Sequence, residues 1–159
     1  MIEYRKLVAS DDPILHKRVE AFDFVGNDAK KVSELLKKAL VYHRGLGLAA
    51  NQIGLPYRAF AMMVWEKPTV FFNPIITELD PDTVAMTEMC LSFPGKEICI
   101  KRPKTCRLNY SDENNVRHTR LLDGIEARCA LHEVDHLNGI VFTSKTAVRR
   151  PFSILSNSI

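Results

Sequence analysis

A chain of 159 residues with 46% hydrophobic and 26% charged residues is sized for one globular domain whose core can enclose a site, expected here to span 1–159 with a short tail from 146. The N-terminal stretch places Glu3, Arg5 and Lys6 where a secretory signal needs apolar residues, and no later run reaches membrane-spanning length, so a cytoplasmic protein without a membrane partner is expected. The net charge of +3 is modest, and the basic clusters KRPKTCR at 101–107 and Arg149 with Arg150 lack interleaved aromatics; no direct DNA binding is expected, and the clusters read mainly as solvated surface with room for weak docking on something acidic such as the ribosome.

After a polar arm, Val32, Leu35, Leu36, Ala39 and Leu40 recur at three and four residue spacing, which predicts a helix over 28–44 capped by Asn27 or Asp28 and stopped by a left-handed Gly45. The GLGLAANQIG stretch then reads as irregular chain. Strands are predicted at 58–64, 70–76, 96–101 and 105–110, followed by a hairpin turn at 111–115 into a strand at 116–122. From Gly124 the period changes: Ile125, Cys129, His132 and His136 share one face of a second helix that Asn138 and Gly139 end, before a short strand at 140–143. The fold class is α+β: antiparallel sheets packed around a central helix, with a second, N-terminal amphipathic helix.

That central helix carries HExxH, His132-Glu133-x-x-His136. Residues four apart on a helix face the same way, so both imidazoles, about 6 Å apart, are near enough to grip one ion. A catalytic tetrahedral metal takes three protein ligands and keeps one open position, so a third ligand must come from elsewhere. The four cysteines sit in a chain too long and apolar to need a disulfide framework and are expected reduced. Cys129 is seven residues from His136, about 10.5 Å of helical rise, too far for both to reach one ion, and reads as a small apolar residue beside the site. Cys99 and Cys106 fall in predicted strands and read as core. Cys90 remains a candidate that spacing alone does not choose decisively.

Three separated segments together resemble the peptide deformylase family. GLGLAANQ at 45–52 is similar to its first motif, EMCLS at 88–92 to its second, usually EGCLS, and LHEVDHLNG at 131–139 to its third, usually QHExDHLxG; DPILHKR at 12–18 resembles its N-terminal signature. The resemblance runs from there to about Lys145. It implies that Cys90, His132 and His136 are the metal ligands, that Glu133 is the general acid/base, and that Gln52 and the Leu91 amide donate to the oxyanion. It further implies a substrate bound as an extended strand along Leu46 and Gly47, with Met89, Ile125, Arg128 and Cys129 around the pocket. The activity implied is metal-dependent hydrolysis of the N-formyl group from the formylmethionine of nascent polypeptides, with release of formate.

The cofactor expected is one divalent ion, native Fe(II) by the resemblance, while zinc or nickel suits the same ligand set. The partners expected are N-formylmethionyl nascent peptides, with weak ribosome association. A zinc peptidase is a competing reading of HExxH, which Cys90 with Gln52 argues against; a binding module without turnover is a third, which Glu133 argues against. The chain departs from the family pattern at Met89, in place of a glycine, at Leu131, in place of a glutamine, and at Arg128, where the family has an apolar pocket wall. Arg128 is either a surface arginine whose stem covers apolar neighbours or a guanidinium reaching the pocket mouth. Met89 and Arg128 together are expected to shift preference among the residues after methionine. The tail TAVRRPFSILSNSI, short and interrupted by Pro151, argues against a long basic helix and resembles phage-type short forms; truncation after Arg150 is expected to spare activity on short peptides.

Overall fold

The Asp28 carboxylate accepts from the Lys31 N–H at 3.0 Å and so caps α1 (Ala29–His43) in the computed structural model, which describes residues 6–148 and 156–158. The helix ends one residue before the predicted stop. Arg44, not Gly45, takes the left-handed conformation, with φ 56°, and its N–H returns to the Leu40 and Val41 carbonyls. The stretch predicted as irregular has structure of its own: β1 (Gly47–Ala49) runs into a single 3-10 turn at Ala50–Ile53.

β1 is the edge of a five-stranded antiparallel sheet, followed in space by β2 (Ala59–Val64), β3 (Lys67–Leu79), β6 (Thr105–Ser111) and β7 (Arg117–Asp123). β2 reads AFAMMV with no alternation because both its faces are covered. Phe60, Met62 and Val64 pack with Ala127, Cys129, Ala130, Val134 and Leu137 of α2 (Gly124–Leu137), while Ala59 and Ala61 pack with Val32, Leu36 and Leu40 of α1. The sheet therefore lies between the two helices, and α2 is the central one. Asn138 caps α2, and Gly139 follows at φ 73° with no room for a side chain, since a Cβ would stand 2.7 Å from the Lys17 carbonyl carbon. Arg58, buried at the start of β2, donates to the Leu137 carbonyl at 3.0 Å and so satisfies that helix end.

A second, smaller sheet has the order β5, β4, β8: β5 (Ile98–Pro103) pairs antiparallel with β4 (Thr83–Met89), and β8 (Ser156–Ser158) pairs parallel with it. β4 has no counterpart among the predicted strands, and β5 begins two residues later than predicted. The predicted strand at 140–143 is instead a 3-10 turn at Phe142–Ser144. The tail also needs correcting. Its register, Thr87↔Ser156, Glu88↔Asn157 and Met89↔Ser158, lays it against the last three residues of β4, directly before Cys90, so truncation after Arg150 would remove a strand beside the site. The predicted roles of Arg149, Arg150 and Pro151 lie outside the described residues.

Candidate metal centre

The two helical histidines face the small sheet, and their ring centroids lie 5.0 Å apart. β4 delivers Cys90 to the same point: its Sγ is 3.3 Å from His136 Nε2, and the sulfur and one ring nitrogen of each histidine all lie within 4.8 Å of one another. A tetrahedral ion with bonds of about 2.0 to 2.3 Å holds such atoms roughly 3.3 to 3.7 Å apart, so the set closes on one ion with little movement. All three residues are buried, Cys90 among Phe93, Val141 and Phe142, with the His132 ring 5.8 Å from that of Phe142. His132 Nε2 is buried and finds no hydrogen-bond partner among the described residues, an arrangement that costs free energy unless a ligand uses the lone pair. A thiol with two imidazoles is a soft donor set suited to a late first-row ion. Burial, with the Glu133 carboxylate nearby, pushes the Cys90 thiol up to about 12, while burial holds His136 well below its usual range and thus neutral. A cation there stabilises the thiolate, so its uptake releases a proton.

One residue organises the surroundings of the site. Glu88, fully buried on the inward face of β4, accepts from His132 Nδ1 at 2.9 Å and from Arg102 Nε and Nη2 at 2.6 and 2.9 Å. The first contact fixes the His132 tautomer, because an Nδ1–H that donates to a carboxylate leaves Nε2 as the ligating atom. Burial alone would raise the Glu88 pKa, but the His132 and Arg102 hydrogen bonds outweigh it and hold the carboxyl at about 2. That depressed value stabilises the fold above the usual glutamate range, and the contribution is lost as pH falls through about 2. Arg102 also reaches Asp135 of α2 at 2.8 Å. The KRPKTCR cluster is thus not simply solvated: Lys101 and Lys104 are exposed, but Arg102 is 5% exposed and ion-paired.

Gln52, at the end of the turn after β1, is oriented by its own loop. Its Oε1 accepts from the Ala49 N–H at 2.8 Å, which turns Nε2 toward the site, 3.0 Å from Ser92 Oγ and 3.7 Å from Cys90 Sγ. Asn51 donates to the His136 carbonyl at 2.7 Å and ties the same loop to α2. Glu133 is fully buried, both its oxygens lack hydrogen-bond partners among the described residues, and burial pushes its carboxyl well above the usual carboxylate range. Gly47 is crowded by α2 as well as placed where a substrate strand is expected to pass. A Cβ there would lie 2.5 Å from Glu133 Oε1 and 2.5 Å from Cys129 Sγ, so the glycine makes room for the general acid/base candidate as well as leaving β1 open to a passing backbone.

The structure brings Cys90, His132, His136, Glu133, Gln52, Gly47 and Cys129 together, and Leu91 follows the sulfur ligand candidate in the chain. Leu46 and Ile125 are half-buried at the margins, and Met89 is half-buried at the end of β4. Leu131 packs against the main core, while Cys99 and Cys106 are buried in β5 and β6. Arg128 meets neither expectation. It is 3% exposed, and its guanidinium points into the small sheet onto Glu88 and the Val84 and Ile100 carbonyls, away from surface and pocket mouth alike. In the sequence Glu88, Asn51 and Ser92 stand only as motif letters and Arg102 only as part of a basic cluster, with no role assigned to any of them. The signal available was that a ligating histidine needs a partner on its other nitrogen.

Among known proteins, the family model for polypeptide deformylase matches residues 4–151. The peptide deformylase of Thermotoga petrophila is 35% identical over 134 residues, which is 84% of this chain and 82% of that relative. The crystal structure of the Thermotoga maritima peptide deformylase superposes with a TM-score of 0.86 at 34% identity, covering 92% of this chain and 99% of that one. The deformylase of a Vibrio parahaemolyticus bacteriophage, solved with actinonin, gives 0.81 at 32% identity, over 86% and 99% of the two chains. With its HExxH helix, its cysteine strand and its glutamine loop converging on one point, the chain belongs to the polypeptide deformylase family and is a metal-dependent hydrolase that removes the formyl group from N-formylmethionyl polypeptides.

Proposed function

We propose that Cys90, His132 and His136 hold one divalent ion and that Glu133, Gln52 and the Leu91 amide carry out deformylation around it. The observation that carries this reading is the approach of one thiol and two imidazole nitrogens to within 4.8 Å, in a pocket where His132 Nε2 has no other partner among the described residues. When bound, the ion supplies Lewis acidity, which acidifies water and polarises a carbonyl.

The substrate lies as an added strand along the open edge of β1, its backbone bonding to Leu46 and Gly47, with the methionine side chain against Ile125 and Cys129. Met89 lines the pocket edge, where its thioether adjusts to different residues after methionine. Glu133 takes a proton from the attacking water, and the burial that raises its carboxyl above the usual range makes it a stronger base for that step. As the new C–O bond forms at the formyl carbon, the oxyanion is met by the Gln52 Nε2–H, oriented before reaction by the Ala49 N–H on its Oε1, and by the Leu91 N–H. Glu133 then gives its proton to the departing nitrogen as the C–N bond breaks, releasing formate and a free methionine amine. Actinonin, seen with the phage deformylase, is expected to occupy the same groove here.

Fe(II) is the native ion on this reading. No helix among the described residues is long and apolar enough to cross a membrane. The place of action proposed is the cytoplasm, on nascent peptides, with weak ribosome contact. Stripping the metal and reloading with Fe(II), Zn(II) or Ni(II) tests the assignment. Turnover should vanish on stripping, return with each ion, be highest with Fe(II) and decay in air with that ion alone. Full turnover in a stripped sample would contradict it.

A further inference from the structure

Arg128 is the residue whose placement neither the proposed chemistry nor the apolar core accounts for. It sits on α2, one turn before His132, and all of its observed bonds leave the helix. Nη1 donates to Glu88 Oε2 at 2.6 Å and to the Ile100 carbonyl at 3.2 Å, and Nη2 donates to the Val84 carbonyl at 2.7 Å. One guanidinium therefore spans β4, β5 and α2 from a position that is 3% exposed. With Arg128 in place, Glu88 has two donors on each oxygen: His132 Nδ1 and Arg102 Nη2 on Oε1, Arg102 Nε and Arg128 Nη1 on Oε2. A carboxylate with about four lone-pair positions is then saturated, with no freedom to rotate.

We infer that Arg128 is a positioning residue for the metal ligands. It locks the strand that delivers Cys90 to the helix that delivers His132 and His136, and it holds the Glu88 carboxylate that sets the His132 tautomer. The role rests on the ligand set proposed above. β4 runs from Val84 through Glu88 straight into Cys90, so any slack between β4 and α2 is slack between the sulfur and the imidazoles. The Arg102–Asp135 bond links the helix to β5 only, and Asp135 is partly exposed. Arg128, by contrast, grips the β4 backbone itself from α2, through the Val84 carbonyl. A methionine at this position would fill the same space but leave Glu88 Oε2 one donor short and the Val84 carbonyl without that partner.

The test uses the full chain, stripped of metal and titrated with Co(II) against a competing chelator, with the thiolate-to-Co(II) charge-transfer absorption followed alongside thermal unfolding of the metal-free protein. Arg128→Met is expected to weaken Co(II) binding by about 10- to 100-fold, the range seen when an outer partner of a ligand is lost, and to broaden or weaken the thiolate band. Arg128→Lys keeps a donor for Glu88 without reaching both carbonyls, so it should fall between the two. Wild-type affinity and an unchanged band in Arg128→Met, whatever its unfolding temperature, would overturn the positioning role. If that variant does not fold, an Arg128→Lys protein with wild-type affinity and band would do the same. A wild-type chain that takes up no Co(II), or takes it up without the thiolate band, would overturn the ligand set itself.

Discussion

Glu133→Ala is expected to keep its metal and lose nearly all turnover, by about 100- to 10,000-fold in kcat, because a positioned proton carrier contributes that much and nothing else in the pocket can replace it. The carboxyl lies between the two histidines in sequence yet is fully buried with neither oxygen in a well-formed hydrogen bond among the described residues, and its burial outweighs the nearby Ala49 N–H, so its removal sheds a poorly compensated group. Burying a carboxyl without partners is costly, so the alanine variant should be at least as stable as the wild type toward heat. Lower turnover with raised or unchanged stability is the pairing expected of a residue kept for chemistry. Kinetics on a formylated peptide, metal analysis and a melting curve on one preparation would show it. Loss of metal in parallel with activity would make Glu133 part of the ligand set instead.

Cys90→Ala is the second large effect, and its sign pattern is the reverse. The sulfur sits 3.3 Å from His136 Nε2 at the end of β4, and alanine offers no donor atom. Metal affinity should fall by more than the roughly 10- to 100-fold that losing an outer partner costs, and activity should fall with it. The metal-dependent part of thermal stability should shrink too, because a ligand that binds only the folded chain stabilises it in proportion to its affinity. Equilibrium dialysis and melting curves with and without added metal measure both. A variant with full occupancy and full activity would contradict the assignment of the sulfur ligand.

Legibility in the sequence followed the strength of local pattern. Both helices were readable because Val32, Leu36, Ala39 and Leu40 keep helical spacing in α1, while Asp28 and Gly139 mark ends in the way caps do. The five strands read from β-branched and alternating residues exist, with shifted ends. β4 was not readable because its inward positions include Glu88 rather than an apolar residue, and a strand whose buried face carries a glutamate shows no apolar alternation. For the same reason Arg102 passed as surface charge: the partner that buries it is fourteen residues away in the chain and visible only after folding. HExxH announced two nitrogen ligand candidates, whereas Cys90 needed the family resemblance, since no local rule brings a strand end to a helix face. Gly47 was noticed but explained incompletely, because its crowding partners Cys129 and Glu133 come from α2. Arg128 was misplaced because a lone arginine on an amphipathic helix usually snorkels, and only the buried Glu88 redirects it.

The measurement that tests the central claim most directly is an anaerobic assay of formyl-Met-Ala-Ser beside its acetylated counterpart, with metal content determined on the same sample. Formate is expected from the formyl peptide alone, in proportion to a metal content that approaches one ion per chain. Equal cleavage of both peptides, or turnover that does not follow metal content, would contradict it.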